Sequence, residues 1–241
     1  MIPKVIHYCW FGRAPLPKLA QKCIASWRKF LPDYEIKEWN EDNFDINTIP
    51  YTREAYQMQK YAYVSDYARF YILYHYGGLY FDTDVEIIKP IDDIIAKGSF
   101  MGKEPIKLSW HDMPSTGINP GLGLGAPHGL DLYKEIIDFY SKHHYVSWTG
   151  HHKNHETVVE IVTRIMENYE TVSIEDGVES CRDIYVYAPE YFCPQNYNTG
   201  IISLTRNTVS IHHYAASWVE KETVWQKVKR RLKGMRVRFG I

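Results

Sequence analysis

No stretch of about 18 residues in this sequence is free of charged and polar side chains, so none reads as a membrane-spanning helix. The opening Met1-Ile2-Pro3-Lys4 has no charged region leading into a sustained apolar stretch, and no signal peptide is expected. Cysteine is scarce: Cys9, Cys23, Cys181 and Cys193 are far apart and form no C-x-x-C pair. That spacing favours buried free thiols over a disulfide framework or a zinc ribbon, and with them a reducing, cytosolic compartment. An excess of one charge is also missing, since 28 Lys+Arg face 29 Asp+Glu for a net charge of −1. No global field gathers nucleic acid, which is not an expected partner. Internal repeats and low-complexity linkers are absent too, which favours one domain over two.

What remains is an ordinary globular composition of 241 residues, 45% hydrophobic and 24% charged. A chain of this length removes roughly 70–75% of its extended surface from water and needs no staples. Tyrosine is abundant, with seven between Tyr61 and Tyr80. Such rings either stack on sugars and bases or pack half-buried with the hydroxyl at the surface.

Hydrophobic periodicity predicts a strand over residues 2–11, a helix over 18–30, a strand over 34–39 and a long helix over 53–76 that Gly77-Gly78 ends. A strand over 79–88 follows, rich in apolar and β-branched residues. This β-α-β-α-β order predicts an α/β fold with a largely parallel sheet. Beyond it the pattern predicts a short helix over 91–96, a strand over 100–103, a Gly/Pro-rich loop over 114–127, helices over 130–142 and 156–169, and strands over 184–189 and 209–214.

Asp82-Thr83-Asp84 is the strongest chemical pattern. On an extended chain residues i and i+2 face one side, so both carboxylates would project together and hold Mg²⁺ or Mn²⁺ against a diphosphate. The same letters also suit a solvated turn. Asp66 and Arg69 lie three apart on the preceding helix, either as a phosphate clamp and sugar acceptor or as a surface ion pair. Ile211-His212-His213-Tyr214, followed by Ser217-Trp218, offers an imidazole. On a strand the two histidines face opposite ways, so at most one ligates, with His212 preferred and a purely structural role for both as the alternative. A ligating imidazole must be neutral, and its ordinary titration lies near about 6.5.

Three look-alikes fail. His151-His152-Lys153-Asn154-His155 has His where H-E-x-x-H needs its Glu. Gly121, Gly123 and Gly125 lack dinucleotide-fingerprint spacing and read as a flexible loop. A haloacid-dehalogenase-type D-x-D wants a small Thr or Val where Glu86 stands.

The runs Tyr63-Val-Ser65-Asp66-Tyr-Ala-Arg69 and Tyr76-Gly77-Gly78-Leu-Tyr80-Phe-Asp82-Thr-Asp84-Val resemble the signature of the D-x-D glycosyltransferases of family 32. That family includes capsule and lipopolysaccharide sugar transferases, fungal mannosyltransferases and, more distantly, clostridial glucosylating toxins. The opening strand through Trp10 to Gly12, Ser26-Trp27 with Pro32-Asp33-Tyr34, Pro189 to Pro194, and Ile211 to Trp218 extend the likeness over most of the chain. The resemblance implies a GT-A fold over residues 1–218, a nucleotide-sugar donor and a retaining transfer assisted by Mn²⁺ or Mg²⁺. It implies metal and diphosphate roles for Asp82 and Asp84, donor-sugar contacts from Asp66 and Arg69, and a nucleotide pocket lined by His7, Tyr8 and Trp10. His212 or His213, with Trp218, would close the site.

These readings predict a cytoplasmic bacterial enzyme that moves a hexose from a UDP- or GDP-sugar to a surface polysaccharide or lipid-linked glycan. The alternatives are a toxin-like transferase acting on a protein and a non-catalytic sugar-binding domain. Residues 219–241 are basic and interleaved with Val228, Leu232, Met235 and Phe239. That segment is expected either to touch anionic lipid at the inner face of the membrane or to stay solvated.

Overall fold

The computed structural model describes residues 1–106, 115–146, 156–196 and 199–215. The basic segment 219–241, Trp218, and His151, His152 and His155 lie outside the described residues.

β1 (Val5–Cys9) is buried on both faces, as a near-continuous apolar run in a parallel sheet requires. In α1 (Lys18–Phe30) the buried positions Ala20, Cys23, Ile24 and Trp27 form one stripe at helical spacing, and Pro32 lies just beyond its end. β2 (Glu35–Trp39) returns parallel to β1.

The helix expected over 53–76 is two helices, α2 (Pro50–Gln57) and α3 (Tyr61–Tyr76). Gln59 adopts φ 58°, and Lys60 N–H bonds Ala55 O at 2.9 Å, a helix-ending pattern that usually takes glycine or asparagine. Glutamine at that position gave no warning. α3 is buried on nearly every side, at Val64, Asp66, Tyr67, Ala68, Arg69, Phe70, Ile72 and Leu73, and forms the spine of the molecule. Gly77 ends it, and Gly78 (φ 107°) has no room for a side chain because a Cβ would sit 2.6 Å from Val5 O.

The strand expected over 79–88 is also two pieces, β3 (Gly78–Tyr80) and β4 (Val85–Ile87). Val85 N–H bonds Asp82 O at 3.0 Å and closes a turn between them. The remaining elements are α4 (Asp92–Lys97), β5 (Ser99–Ile106), β6 (Ser115–Ala126), α5 (Asp131–Ser141), α6 (Val158–Met166), β7 (Thr171–Ser173), β8 (Val178–Cys181), β9 (Ile184–Tyr187), α7 (Pro189–Phe192) and β10 (Ser210–His212).

β6 replaces the flexible loop expected over 114–127. Its glycines are packing positions rather than hinges: a Cβ at Gly125 would lie 2.2 Å from the Phe100 ring, and one at Gly123 3.0 Å from Phe81.

Among the described residues the main sheet has the order β2-β1-β3-β6-β5-β9-β8-β7, and β10 pairs with β4 in a second, two-stranded sheet. β1–β2, β1–β3 and β5–β9 are parallel pairs, while β6 and β8 run against their neighbours. Six of the eight strands therefore point one way, as the α/β expectation required. One apolar cluster lies under α3, α5 and α6, and a second lies under α1, β4 and α7. All four cysteines are buried and free.

Candidate active site

β1 has β2 on one side and β3 on the other, so the strand order reverses at β1, the position past whose carboxyl end open α/β sheets place their ligand crevice. Asp82-Thr83-Asp84 lies there, in the turn after β3. The turn is held from behind: Trp27 Nε1–H donates to Val85 O at 2.8 Å, and Ser26 Oγ accepts from Ile87 N–H at 2.9 Å. Ser26-Trp27 thus fixes the strand on which the turn ends.

Asp82 N–H donates to Gly121 O at 3.0 Å, and its Oδ1 accepts from Tyr80 Oη–H at 3.0 Å and faces Arg69 Nη2 at 3.4 Å. Its side chain is 32% exposed and opens to the crevice. Arg69 is buried, donates from Nη2 to Asp66 Oδ1 at 2.8 Å and from Nε to Ser65 O at 3.1 Å, and lies over the Tyr80 ring. The surface-pair reading of Asp66 and Arg69 is therefore wrong: both are core residues, Arg69 in an ion pair with Asp82 of the turn and Asp66 bonded to Arg69. Burial pushes Asp66 up to about 7 against the pull of Arg69, with Asp82 adding repulsion. Burial works against the Arg69 cation, but Asp82 and then Tyr80 and Asp66 hold it protonated. Its Nη1 is buried with no partner among the described residues.

Asp84 closes the other side. Its Oδ1 stands 3.4 Å from His212 Nε2, and its Oδ2 accepts Ala215 N–H at 2.8 Å. Burial works to raise Asp84, yet His212 holds it below the usual carboxylate range. Burial likewise opposes the His212 cation, but Asp84 and Cys193 raise the imidazole to about 10. An ordinary titration near 6.5 is not what this environment gives, and a metal would have to displace a proton from His212.

Other expected site residues do not gather here. His213 faces away, with Nε2 2.8 Å from Glu86 Oε2, and is no ligand beside Asp84. His7 is 2% exposed with both ring nitrogens engaged, one by Gly77 O and the other by Trp39 Nε1–H, because β1 is an interior strand. Tyr8 is buried against Trp27 and donates to Glu38 Oε2. Trp10, just past the carboxyl end of β1, is half-buried. Tyr67, Tyr80, Tyr133, Tyr140 and Tyr145 are each at most 2% exposed, which removes these five as stacking platforms.

The wall opposite comes from residues that carry no motif. Gly121 N–H donates to Asn119 Oδ1 at 2.7 Å, and Asn119 Nδ2 donates to Glu104 Oε2 at 2.8 Å. Glu104, Cys193 and His212 then approach one another, and His212 returns to Asp84. Only the three-dimensional pairing of β3 with β6 reveals this circuit, although Tyr80, two residues before Asp82, was visible inside the motif. Two carboxylates at one turn are hard oxygen donors that fit a divalent cation. The buried, unpartnered Arg69 Nη1 beside Asp82 fits an anionic group.

An α/β fold with an acidic turn at its switch point is the framework of GT-A nucleotide-sugar transferases. Residues 17–101, which include Asp66, Arg69, Asp82 and Asp84, match the family described as glycosyltransferase sugar-binding region containing DXD motif. The match spans about a third of the chain, and over those residues the chain is similar to the DXD-containing glycosyltransferases.

It is 31% identical over 145 residues to inositol phosphoceramide mannosyltransferase 1 of Schizosaccharomyces pombe, covering 55% of this chain and 44% of the relative. It is 29% identical over 129 residues to a mannosyl phosphorylinositol ceramide synthase of Saccharomyces cerevisiae, covering 50% of this chain and 32% of the relative. The chain spans less than half the length of these curated relatives. Among solved structures, PaToxG glycosyltransferase shares the fold with a TM-score of 0.50 at 18% identity, covering 69% of each chain. No helix among the described residues is long and apolar enough to cross a membrane.

Proposed function

We propose that the protein is a retaining, metal-dependent glycosyltransferase that moves a hexose from a UDP- or GDP-sugar to an acceptor hydroxyl. The observation that carries this is the position of Asp82: one-third exposed at the crevice, backed by a buried Arg69 with a spare donor, and next to Asp84 in the same turn. Such a site positions a donor diphosphate and stabilises charge on it as the sugar departs. A Mn²⁺ or Mg²⁺ ion held by Asp82 and Asp84, with His212 at its margin, supplies the remaining positive charge. Asp66 and Arg69 orient the donor sugar, and Trp10 borders the nucleotide.

The relatives' names put mannose first among the sugars to try, and a hydroxyl on a lipid or lipid-linked glycan first among the acceptors. The catalytic unit is taken as residues 1–218, and the basic residues 219–241 as a contact to anionic lipid at the inner face of the membrane. Equal binding to anionic vesicles with and without that segment would end the membrane part of this reading.

Calorimetry tests the site directly. Mn²⁺ should tighten donor binding, the donor should tighten Mn²⁺ by the same factor, and Asp82→Asn should remove the coupling. Equal donor affinity with and without Mn²⁺ would overturn the metal role.

A further inference from the structure

Behind the Asp84 side of the crevice, three elements far apart in sequence converge on one point. Gly102 on β5 lets Phe192 of α7 lie flat on the strand: a Cβ at Gly102 would be 2.9 Å from that ring, which also stacks on Phe100 at 5.8 Å and 3°. Residue 104 shares the face of residue 102, so Glu104 lies beside Cys193, the residue that caps α7. β10 is tied to the same helix, with Val209 N–H on Tyr191 O at 2.8 Å and Ser210 Oγ near Phe192 O at 3.4 Å, and this brings His212 alongside.

The outcome is a carboxylate, a thiol and an imidazole whose donor atoms all lie within 4.8 Å of one another. Cys193 is 3% and His212 8% exposed. His212 Nε2 faces Asp84, and its Nδ1 is buried without a partner among the described residues. An unpartnered buried nitrogen is costly unless something binds it.

We propose that Glu104, Cys193 and His212 form a second metal site, selective for a thiophilic divalent ion of the Zn²⁺ class and separate from the Asp82-Asp84 position. Ligand choice supports the separation: thiolate and imidazole suit Zn²⁺, whereas carboxylate oxygens suit Mg²⁺ and Mn²⁺. Bond lengths of about 2.0–2.3 Å around a tetrahedral ion put its ligand atoms about 3.3–3.8 Å apart, so the three groups need draw together by only about 1 Å. Binding converts the Cys193 thiol to thiolate and takes the proton from His212 Nδ1, leaving Nε2–H in place, and both protons go to solvent. Tyr214, whose hydroxyl lies 2.8 Å from Cys193 Sγ, gives up that contact. With Nε2–H directed at Asp84, the imidazole is oriented by a carboxylate, as metal-bound histidines usually are. The bound ion fastens α7 and β10 to β5. This site stands whether or not the protein transfers sugar.

The test is titration of the reduced full chain with Co²⁺ and Zn²⁺. One equivalent of Co²⁺ should bind with a thiolate-to-metal charge-transfer band, Zn²⁺ should displace it, and Zn²⁺ should raise the melting temperature. Cys193→Ser, close in size, should abolish the band and lower Zn²⁺ affinity at least 100-fold, and Glu104→Gln should lower it at least tenfold. Asp82→Asn should leave both unchanged. Co²⁺ binding without the band, or Zn²⁺ affinity that survives Cys193→Ser but falls with Asp82→Asn, would overturn the proposal. Melting of each metal-free variant beside the wild type shows that the variants are folded.

Discussion

The Asp82 carboxylate lies directly over the α-carbon of Gly121, where a Cβ would come 2.0 Å from Oδ2 and 3.0 Å from Cγ. β6 therefore brings a glycine against the acidic turn to leave room for its carboxylate. Gly121→Ala must move Asp82, and a displacement of about 1 Å at a positioned group is enough to cost on the order of 100-fold in rate. Turnover should fall by that factor while the circular dichroism spectrum stays native. Unchanged turnover would mean that Asp82 does not act from this position.

Arg69 sits between Asp66 and Asp82 in the core. Arg69→Ala leaves two carboxylates without their cation and should cost about 3–5 kcal/mol of stability, so loss of activity in that variant would be ambiguous. Arg69→Lys keeps the charge but not the fork that holds Asp66 while reaching Asp82. Its melting temperature should stay near wild type with turnover at least tenfold lower. A fully active Arg69→Lys would reduce Arg69 to a structural cation.

Asp84 both borders the crevice and holds His212 protonated. Asp84→Asn should lower turnover at least 100-fold and move the His212 titration, followed by nuclear magnetic resonance, down from about 10. A titration that stayed in place would show that Asp84 is not what charges this imidazole.

His7 makes the fold sensitive to acid. Trp39 Nε1–H donates to Nδ1, so the Nε2–H donates to Gly77 O and the ring is neutral. Burial lowers its pKa from 6.5 to about 4, with the Gly77 bond opposing and Lys37 assisting. Above 6.5 the group is neutral in both states. Below it the unfolded chain takes up a proton that the folded chain refuses, so stability is lost as pH falls from 6.5 towards 4. The loss reaches about 2 kcal/mol at pH 5. Urea unfolding at pH 7 and pH 5 should show it, and His7→Asn, which ionises in neither state, should lose less by about that amount. Equal losses would refute this role of His7.

How much of this could be read from the sequence depended on whether the signal was local. α1 matches its stripe of buried residues, and the free cysteines match their spacing. The breaks after Gln57 and after Tyr80 were not legible: one rests on a glutamine in a left-handed conformation, the other on β4 leaving the main sheet to pair with β10. The glycines of 121–125 suggested mobility in sequence, but each is where a side chain from elsewhere crosses β6. In the site, Arg69 joins Asp66 to Asp82, and Asp84 meets His212, but among the described residues Asp82, Asp84 and His212 do not form one cluster of donor atoms. His7, Tyr8 and His213 do not gather there, because burial and strand-face alternation decide where a side chain points. Asn119, Glu104 and Cys193 enter only through long-range pairing, which no spacing rule encodes.

The most direct test of the central claim is release of nucleoside diphosphate from GDP-mannose and from a set of UDP-sugars by the whole protein, with Mn²⁺ and after chelation by EDTA. The account predicts release from at least one donor with Mn²⁺, loss of that release in EDTA, and loss again in Asp82→Asn at an unchanged melting temperature. Release that persists in EDTA, or that Asp82→Asn leaves intact, would contradict it.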